Sequence, residues 1–197
     1  EFMRTRSLML PGEHNQYDAA LAGAVGKIVG LTDEESDSEL STFPGTWRRF
    51  EFKGELVSGA KVYDDYAHHP TEIRVTLAGF RELYPSPDYK ITVIFQPHLF
   101  SRTKAFLNDF AKELSLADLT LVLPIYQARE VDDGTISAQG LVEKILEVGG
   151  KAEAFPDFAT AEKALQNIAF GRGDIVLTMG AGDAYQIGEN MLKNRAN

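Results

Sequence analysis

Cysteine is absent from this sequence, which excludes disulfides and thiolate-ligated metals and suits a reducing cytoplasm. No run of about 18 apolar residues occurs, so no membrane-spanning helix is expected, and the N-terminus lacks the apolar stretch of a secretory signal. Basic residues are in deficit: 20 Lys and Arg against 29 Asp and Glu leave a net charge of −9. With no basic stripe to offset that repulsion, a nucleic-acid partner is set aside. A GxSxG elbow is missing, which with the absent cysteine argues against a nucleophilic triad. A GxxGK[ST] loop is missing too; the GKI at Gly26 is not one, so this stretch carries no phosphate-cradling P-loop.

What remains is 197 residues, 44% of them hydrophobic, ample for the core of one ordinary domain with a small appendage. Glu1 and Phe2 ahead of Met3 read as a cloning remnant on a fragment of a longer protein. Residues 8–31 begin with a Pro-Gly turn and continue as an Ala-rich helix with Leu21, Val25, Ile28 and Val29 at helical spacing. His14 and Asn15 open it, where Asn15 caps the helix or offers an amide to a ligand. Residues 32–40 read as a short acidic helix capped by Thr32, with Glu35 completing a capping box. The break at 41–46 closes a piece that cannot bury a core alone and looks like the tail of something else.

From Trp47 the pattern becomes strand, turn, strand, with Arg48 and Arg49 adjacent on the first strand and therefore facing opposite sides. Helices at 71–83, 104–114, 134–148 and 160–170 then alternate with buried strands at 89–95 and 119–123, a short strand at 151–155 and a last strand at 174–179, and a last helix runs to Lys193. Such alternation predicts an α/β, Rossmann-like domain with a mostly parallel sheet and helices on both faces. Four strand ends carry polar clusters: DDYAHH, QPHLFSR, PIYQARE and MGAGD. Parallel strands place all four on one edge, where doubly wound sheets bind ligands.

The chain is organised around DDYAHHPTE, residues 64–72, where a strand stops and Pro70 opens a helix. His68 and His69 are poor metal partners, since neighbours in extended backbone diverge. Asp64 and Asp65 either bond internally or accept from a ribose hydroxyl. Arg102 sits in the first turn of a helix, opposed by the dipole unless an anion lies between. His98 is placed to share that anion or to satisfy local backbone. The GAGD turn either admits a phosphate to a helix N-terminus or is a bare strand-to-helix turn.

Taken together, PGEHNQYDAALAG, WRRFE, DDYAHHPTEI, FQPHLFSRTK and LTMGAGD resemble the Mur ligase family, and most closely its branch that adds L-alanine to UDP-N-acetylmuramate in bacterial peptidoglycan synthesis. The resemblance implies that residues 1–46 end a central ATPase domain and that 47–197 form the C-terminal domain. It implies a cytoplasmic, ATP- and Mg2+-dependent amide-forming reaction through an acyl phosphate, with the chain inactive alone. Carried over by motif, Asn15 looks like the adenine-side amide, Asp65 the contact to the nucleotide sugar, and Arg49, or Arg48 one register away, the phosphate contact. Tyr66, His68, His98 and Arg102 look like the wall that positions alanine, Arg102 meeting its carboxylate. Leu99 stands where many relatives carry a basic residue, Asp18 where they carry asparagine, and Glu13 where a basic residue is common. The alternatives are a ligase domain that recycles murein peptides and a non-catalytic module binding a nucleotide or anion.

Overall fold

The computed structural model describes residues 7–193, and the expected cloning remnant lies outside them. Helices α1 (Glu13–Ile28) and α2 (Asp33–Thr42) come first, followed by strands β1 (Glu51–Glu55) and β2 (Lys61–Asp65). Then come α3 (Pro70–Leu83), β3 (Lys90–Phe95), α4 (Phe100–Ala105), α5 (Leu107–Leu114) and β4 (Leu119–Val122). The chain ends with α6 (Ala138–Glu147), β5 (Ala152–Ala154), α7 (Phe158–Gln166), β6 (Asp174–Met179) and α8 (Tyr185–Lys193). The six strands form one sheet in the order β1-β2-β6-β3-β4-β5. Only β1 runs antiparallel, against β2; the other pairs are parallel.

Strands covered on both faces read as continuous apolar runs, and Ile91, Val93, Ile94 and Phe95 of β3 are all fully buried. One core layer packs α3, α5 and α6 against the sheet around Phe80, Phe95 and Phe110. The other packs α7 and α8 on the opposite face around Ile94, Leu121 and Ile187. α3 shows why these helices form. Pro70 occupies the first turn, His69 Nδ1 accepts the Thr71 N–H at 3.3 Å, and the Glu72 carboxylate accepts the His69 N–H at 3.1 Å. Ile73, Thr76, Leu77 and Phe80 then repeat at helical spacing on the buried face.

Several expected elements differ: the helix expected at 134–148 spans Ala138–Glu147, and the one expected at 160–170 spans Phe158–Gln166. Residues 47–50 are a turn and not a strand: Arg48 and Phe50 have φ of +57° and +49°, and β1 starts only at Glu51. The helix expected at 104–114 starts earlier, at Phe100, and breaks at Phe106, whose φ of −111° ends α4 and opens α5. The Phe106 ring packs edge-on against His69, 4.8 Å between centroids.

In the N-terminal piece the Thr32–Glu35 capping box is present. Asn15 is not a cap: Gly12 holds that place, and the Asn15 amide donates to Pro11 O at 2.6 Å. α1 turns Ala19, Ala20, Gly23 and Gly26 inward, while Leu21, Val25, Ile28 and Val29 are 67%, 52%, 84% and 71% exposed.

Candidate functional site

The ends of β2, β6, β3 and β4 lie side by side, so the four polar clusters share one edge. On β2, Asp64 and Asp65 are buried, and burial pushes both carboxyls above the usual carboxylate range. Arg48 and Thr178 oppose that shift for Asp64, and the N–H groups of Phe50 and Ala67 oppose it for Asp65. Asp65 Oδ2 accepts from Phe50 N at 2.8 Å and Oδ1 from Ala67 N at 2.8 Å. Both acids therefore bond internally, and Asp65 also faces a cavity.

That cavity, about 500 Å³, is lined by Leu10, Asn15, Asp18, Arg49, Asp65 and Thr76 among others. It lies between the start of α1, the 43–50 segment and α3, and its size is that of a small-ligand site. The three residues singled out for nucleotide contact, Asn15, Arg49 and Asp65, thus line one space. Arg48 does not join them. The positive-φ turn sends Arg49 to the cavity and folds Arg48 inward, where Nε donates to Asp64 Oδ2 at 2.7 Å. Its Nη1 and Nη2 donate to the carbonyls of Gly182 and Gly180 at 3.0 and 2.6 Å. The expected opposition of the two arginines holds, although a turn and not a strand produces it. With its carbonyls engaged by Arg48, the GAGD segment is a strand-to-helix turn clamped from inside.

A row of rings leads away from the cavity. Tyr66 meets His68 edge-on at 5.3 Å, His68 meets His98 at 6.0 Å, and His98 stacks on Tyr126 at 5.3 Å and 19°. Glu72 lines the cavity and accepts the N–H groups of His68 and His69 at 2.9 and 3.1 Å, so cavity and row share a wall. His68 Nδ1 lies 3.0 Å from Tyr66 O. A carbonyl only accepts, so Nδ1 is the donor, and it also lies 3.3 Å from Glu72 Oε2; in the neutral ring Nε2 then holds the lone pair. His69 faces elsewhere, onto Phe106, and the two adjacent histidines do not converge.

His98 Nδ1 and Arg102 Nη1 are buried and lack a hydrogen-bond partner among the described residues. Unpaired buried polar groups are costly and call for an occupant. Burial, then the charge of Arg102 and then His68, holds the His98 imidazole below its ordinary pKa, so it is neutral at neutral pH. Leu99, between them, has φ of +72° and caps α4; its N–H donates to Tyr126 O at 2.9 Å and its carbonyl accepts from Thr103 N at 3.0 Å. Such a conformation in a branched residue is strained and persists only where the surroundings impose it.

Three contributors were not assigned roles from sequence. Tyr126 supplies the stacking face for His98. Glu130 accepts from the Ser101 N–H at 3.0 Å and from its hydroxyl, pinning the start of α4. Gln96 Oε1 accepts the Asp183 N–H at 2.6 Å and joins β3 to the GAGD turn. Their common signal is position at a strand end, which Tyr126 and Glu130 share with the PIYQARE cluster.

No helix among the described residues is long and apolar enough to cross a membrane. Residues 48–182 match the family model described as the Mur ligase, glutamate ligase domain. The chain is 45% identical over 186 residues to the UDP-N-acetylmuramate–L-alanine ligase of Agathobacter rectalis, covering 94% of this chain and 39% of that protein. Among solved structures, the UDP-N-acetylmuramate-alanine ligase of Thermotoga maritima superposes with a TM-score of 0.75 at 28% identity, over 95% of this chain and 39% of that one. A murein peptide ligase of Psychrobacter arcticus follows with a TM-score of 0.65 at 25% identity, over 98% of this chain and 39% of the other. The chain spans about two fifths of the length of the curated relatives it matches. The parallel sheet with its clustered strand ends, and a family match running from the paired arginines through the GAGD turn, lead to one assignment: the chain belongs to the Mur ligase family.

Proposed function

We propose that the chain is the C-terminal domain of an ATP-dependent ligase that joins L-alanine to UDP-N-acetylmuramate, and that it positions the amino acid and one end of ATP. The observation that carries this reading is the pair of buried nitrogens on one edge, Arg102 Nη1 and His98 Nδ1, that lack a hydrogen-bond partner among the described residues. A guanidinium and a neutral imidazole suit a small zwitterion: Arg102 pairs with its carboxylate, and the Nε2 lone pair of His68 takes a proton from its ammonium. An amine is nucleophilic only once that proton is gone. The 500 Å³ cavity suits a nucleoside, with apolar walls for a base, Asn15 and Asp65 as polar contacts and Arg49 toward the phosphates. ATP supplies the activated phosphoryl group that makes the acid reactive; Mg2+ and most of the triphosphate are assigned to the central domain.

On the same reading residues 1–46 are the helical tail of that central domain. Leu21, Val25, Ile28 and Val29 form an exposed apolar row on α1, which supports a packing partner there, and the family match begins just after, at residue 48. The test is phosphate release by the full-length protein with ATP, Mg2+ and UDP-N-acetylmuramate, across alanine, glycine, serine and a cell-wall tripeptide. Release that requires alanine is expected. Release with the tripeptide alone would move the chain to the murein peptide ligases, and no release with any would refute a ligase. The 197-residue chain alone is expected to show no ATP turnover.

A further inference from the structure

We propose that Arg48 is a positioning residue of this site, one that meets no ligand itself but latches the ends of β2 and β6 and holds Tyr66, and through Tyr66 the imidazole of His68, where the amino acid binds. The inference rests on the ligase reading. Arg48's side chain is 4% exposed, and its Nε, Nη1 and Nη2 are all engaged, by Asp64, Gly182 O and Gly180 O. The guanidinium is therefore closed to phosphate. Asp64 lies on β2 in register with Thr178 of β6, whose hydroxyl donates to Asp64 Oδ1 at 2.6 Å, and Gly180 follows just past the end of β6. One planar cation joins two strand ends.

The same residue grips Tyr66 in two ways. Its carbonyl accepts the Tyr66 N–H at 2.7 Å, and its guanidinium carbon lies 5.0 Å from the Tyr66 ring centroid. The rings of Tyr185 and Trp47 enclose the cation further, at 4.8 and 5.8 Å. Tyr66 in turn supports His68 edge-on, and its carbonyl accepts from His68 Nδ1 at 3.0 Å. Arg48 also holds φ of +57°, a conformation non-glycine residues keep only under external constraint. A lysine carries the charge but cannot fork to three acceptors.

The experiment uses the full-length protein with Arg48→Lys, Tyr66→Leu and the double variant. Arg48→Lys is expected to raise the KM for L-alanine about tenfold while the KM for ATP moves less than about twofold. The double variant should be no worse than Tyr66→Leu alone, because the contact between the guanidinium and the ring is already gone. Arg81→Lys is the control: Arg81 bonds Asp118 and the carbonyl of Tyr89 at the opposite edge, and its loss should lower the melting temperature without moving either KM. A rise in the ATP KM, a fall in melting temperature alone, or additive effects would overturn the proposal. Should Arg48→Lys fail to fold, Asp64→Asn removes the counter-charge and keeps the shape; it should give a smaller rise in the alanine KM, and no rise would count against the latch. The His68 imidazole NMR signal, assigned by its loss in His68→Gln, separates the two readings without turnover. It should shift in Arg48→Lys and not in Arg81→Lys whatever the substrate; an unmoved signal sinks the latch, whereas a wild type without amino-acid-dependent turnover sinks the ligase reading.

Discussion

Replacing Arg102 with alanine in the full-length protein should lower kcat/KM for the amino acid by about 10² to 10³. The guanidinium is half-buried, and its Nη1 is already out of water and unpaired, so a carboxylate arriving there meets a donor whose desolvation is complete. A hydrogen bond to a charged group contributes about 1.5–3 kcal/mol, and a two-pronged clamp whose bonds are not fully additive about 3–4 kcal/mol. At about 1.4 kcal/mol per decade that is two to three decades. The fold should change little, because the Arg102 Nη1 makes no hydrogen bond among the described residues that its removal would break. The assay is steady-state phosphate release against amino-acid concentration, beside a thermal melt. Arg102→Lys, which keeps the charge and loses the fork, should fall between wild type and alanine. An internal check needs no turnover: Arg102 helps hold the His98 pKa down, so its removal should raise that pKa. A kcat/KM within threefold of wild type, with the His98 titration unmoved, would refute the reasoning.

Other outcomes follow from the same geometry. His98 titrates below 6.5 when folded; the unfolded chain then binds the extra proton first, so stability rises with pH through that window and falls as pH drops through the folded pKa. His98→Gln should flatten that slope in urea melts on either side of 6.5, and an unchanged slope would count against it. Gly180→Ala would set a Cβ 2.5 Å from Gln96 O at φ +132° and should cost about 2–4 kcal/mol. Gly149→Ala, at φ +87° with open space around it, should cost only about 1 kcal/mol; equal costs would show that the close approach to Gln96 does not matter. Phe80→Ala removes a fully buried ring stacked 3.9 Å from Phe50 and should cost about 3–5 kcal/mol by denaturant unfolding. A loss under about 2 kcal/mol would mean that the core collapses around the gap.

How far the sequence could be read depended on whether a residue's role is local. β2, α3 and β6 were legible because their signals lie within a few residues: an apolar run, Pro70 at a helix start, Asp174 opening a strand between glycines. The shared edge followed from parallel topology alone, and it brought Tyr66, His68, His98 and Arg102 into one neighbourhood. The residues at 47–50 were misread because arginine and phenylalanine at positive φ leave no mark in composition. What forces that turn is Asp64, 16 positions later, together with two carbonyls more than 130 positions away. Long-range polar bonds of this kind have no period and no spacing, so Arg48 looked interchangeable with Arg49. The contact of Phe106 with His69 was hidden likewise, since it is made only across the fold. Tyr126 and Glu130 stood in view at a strand end, but their use depends on β4 lying next to β3, which the order of elements along the chain does not dictate. A candidate site is therefore legible to the extent that one strand end or helix start carries it. Its positioning residues, which join distant strand ends, become visible only when the sheet order is known.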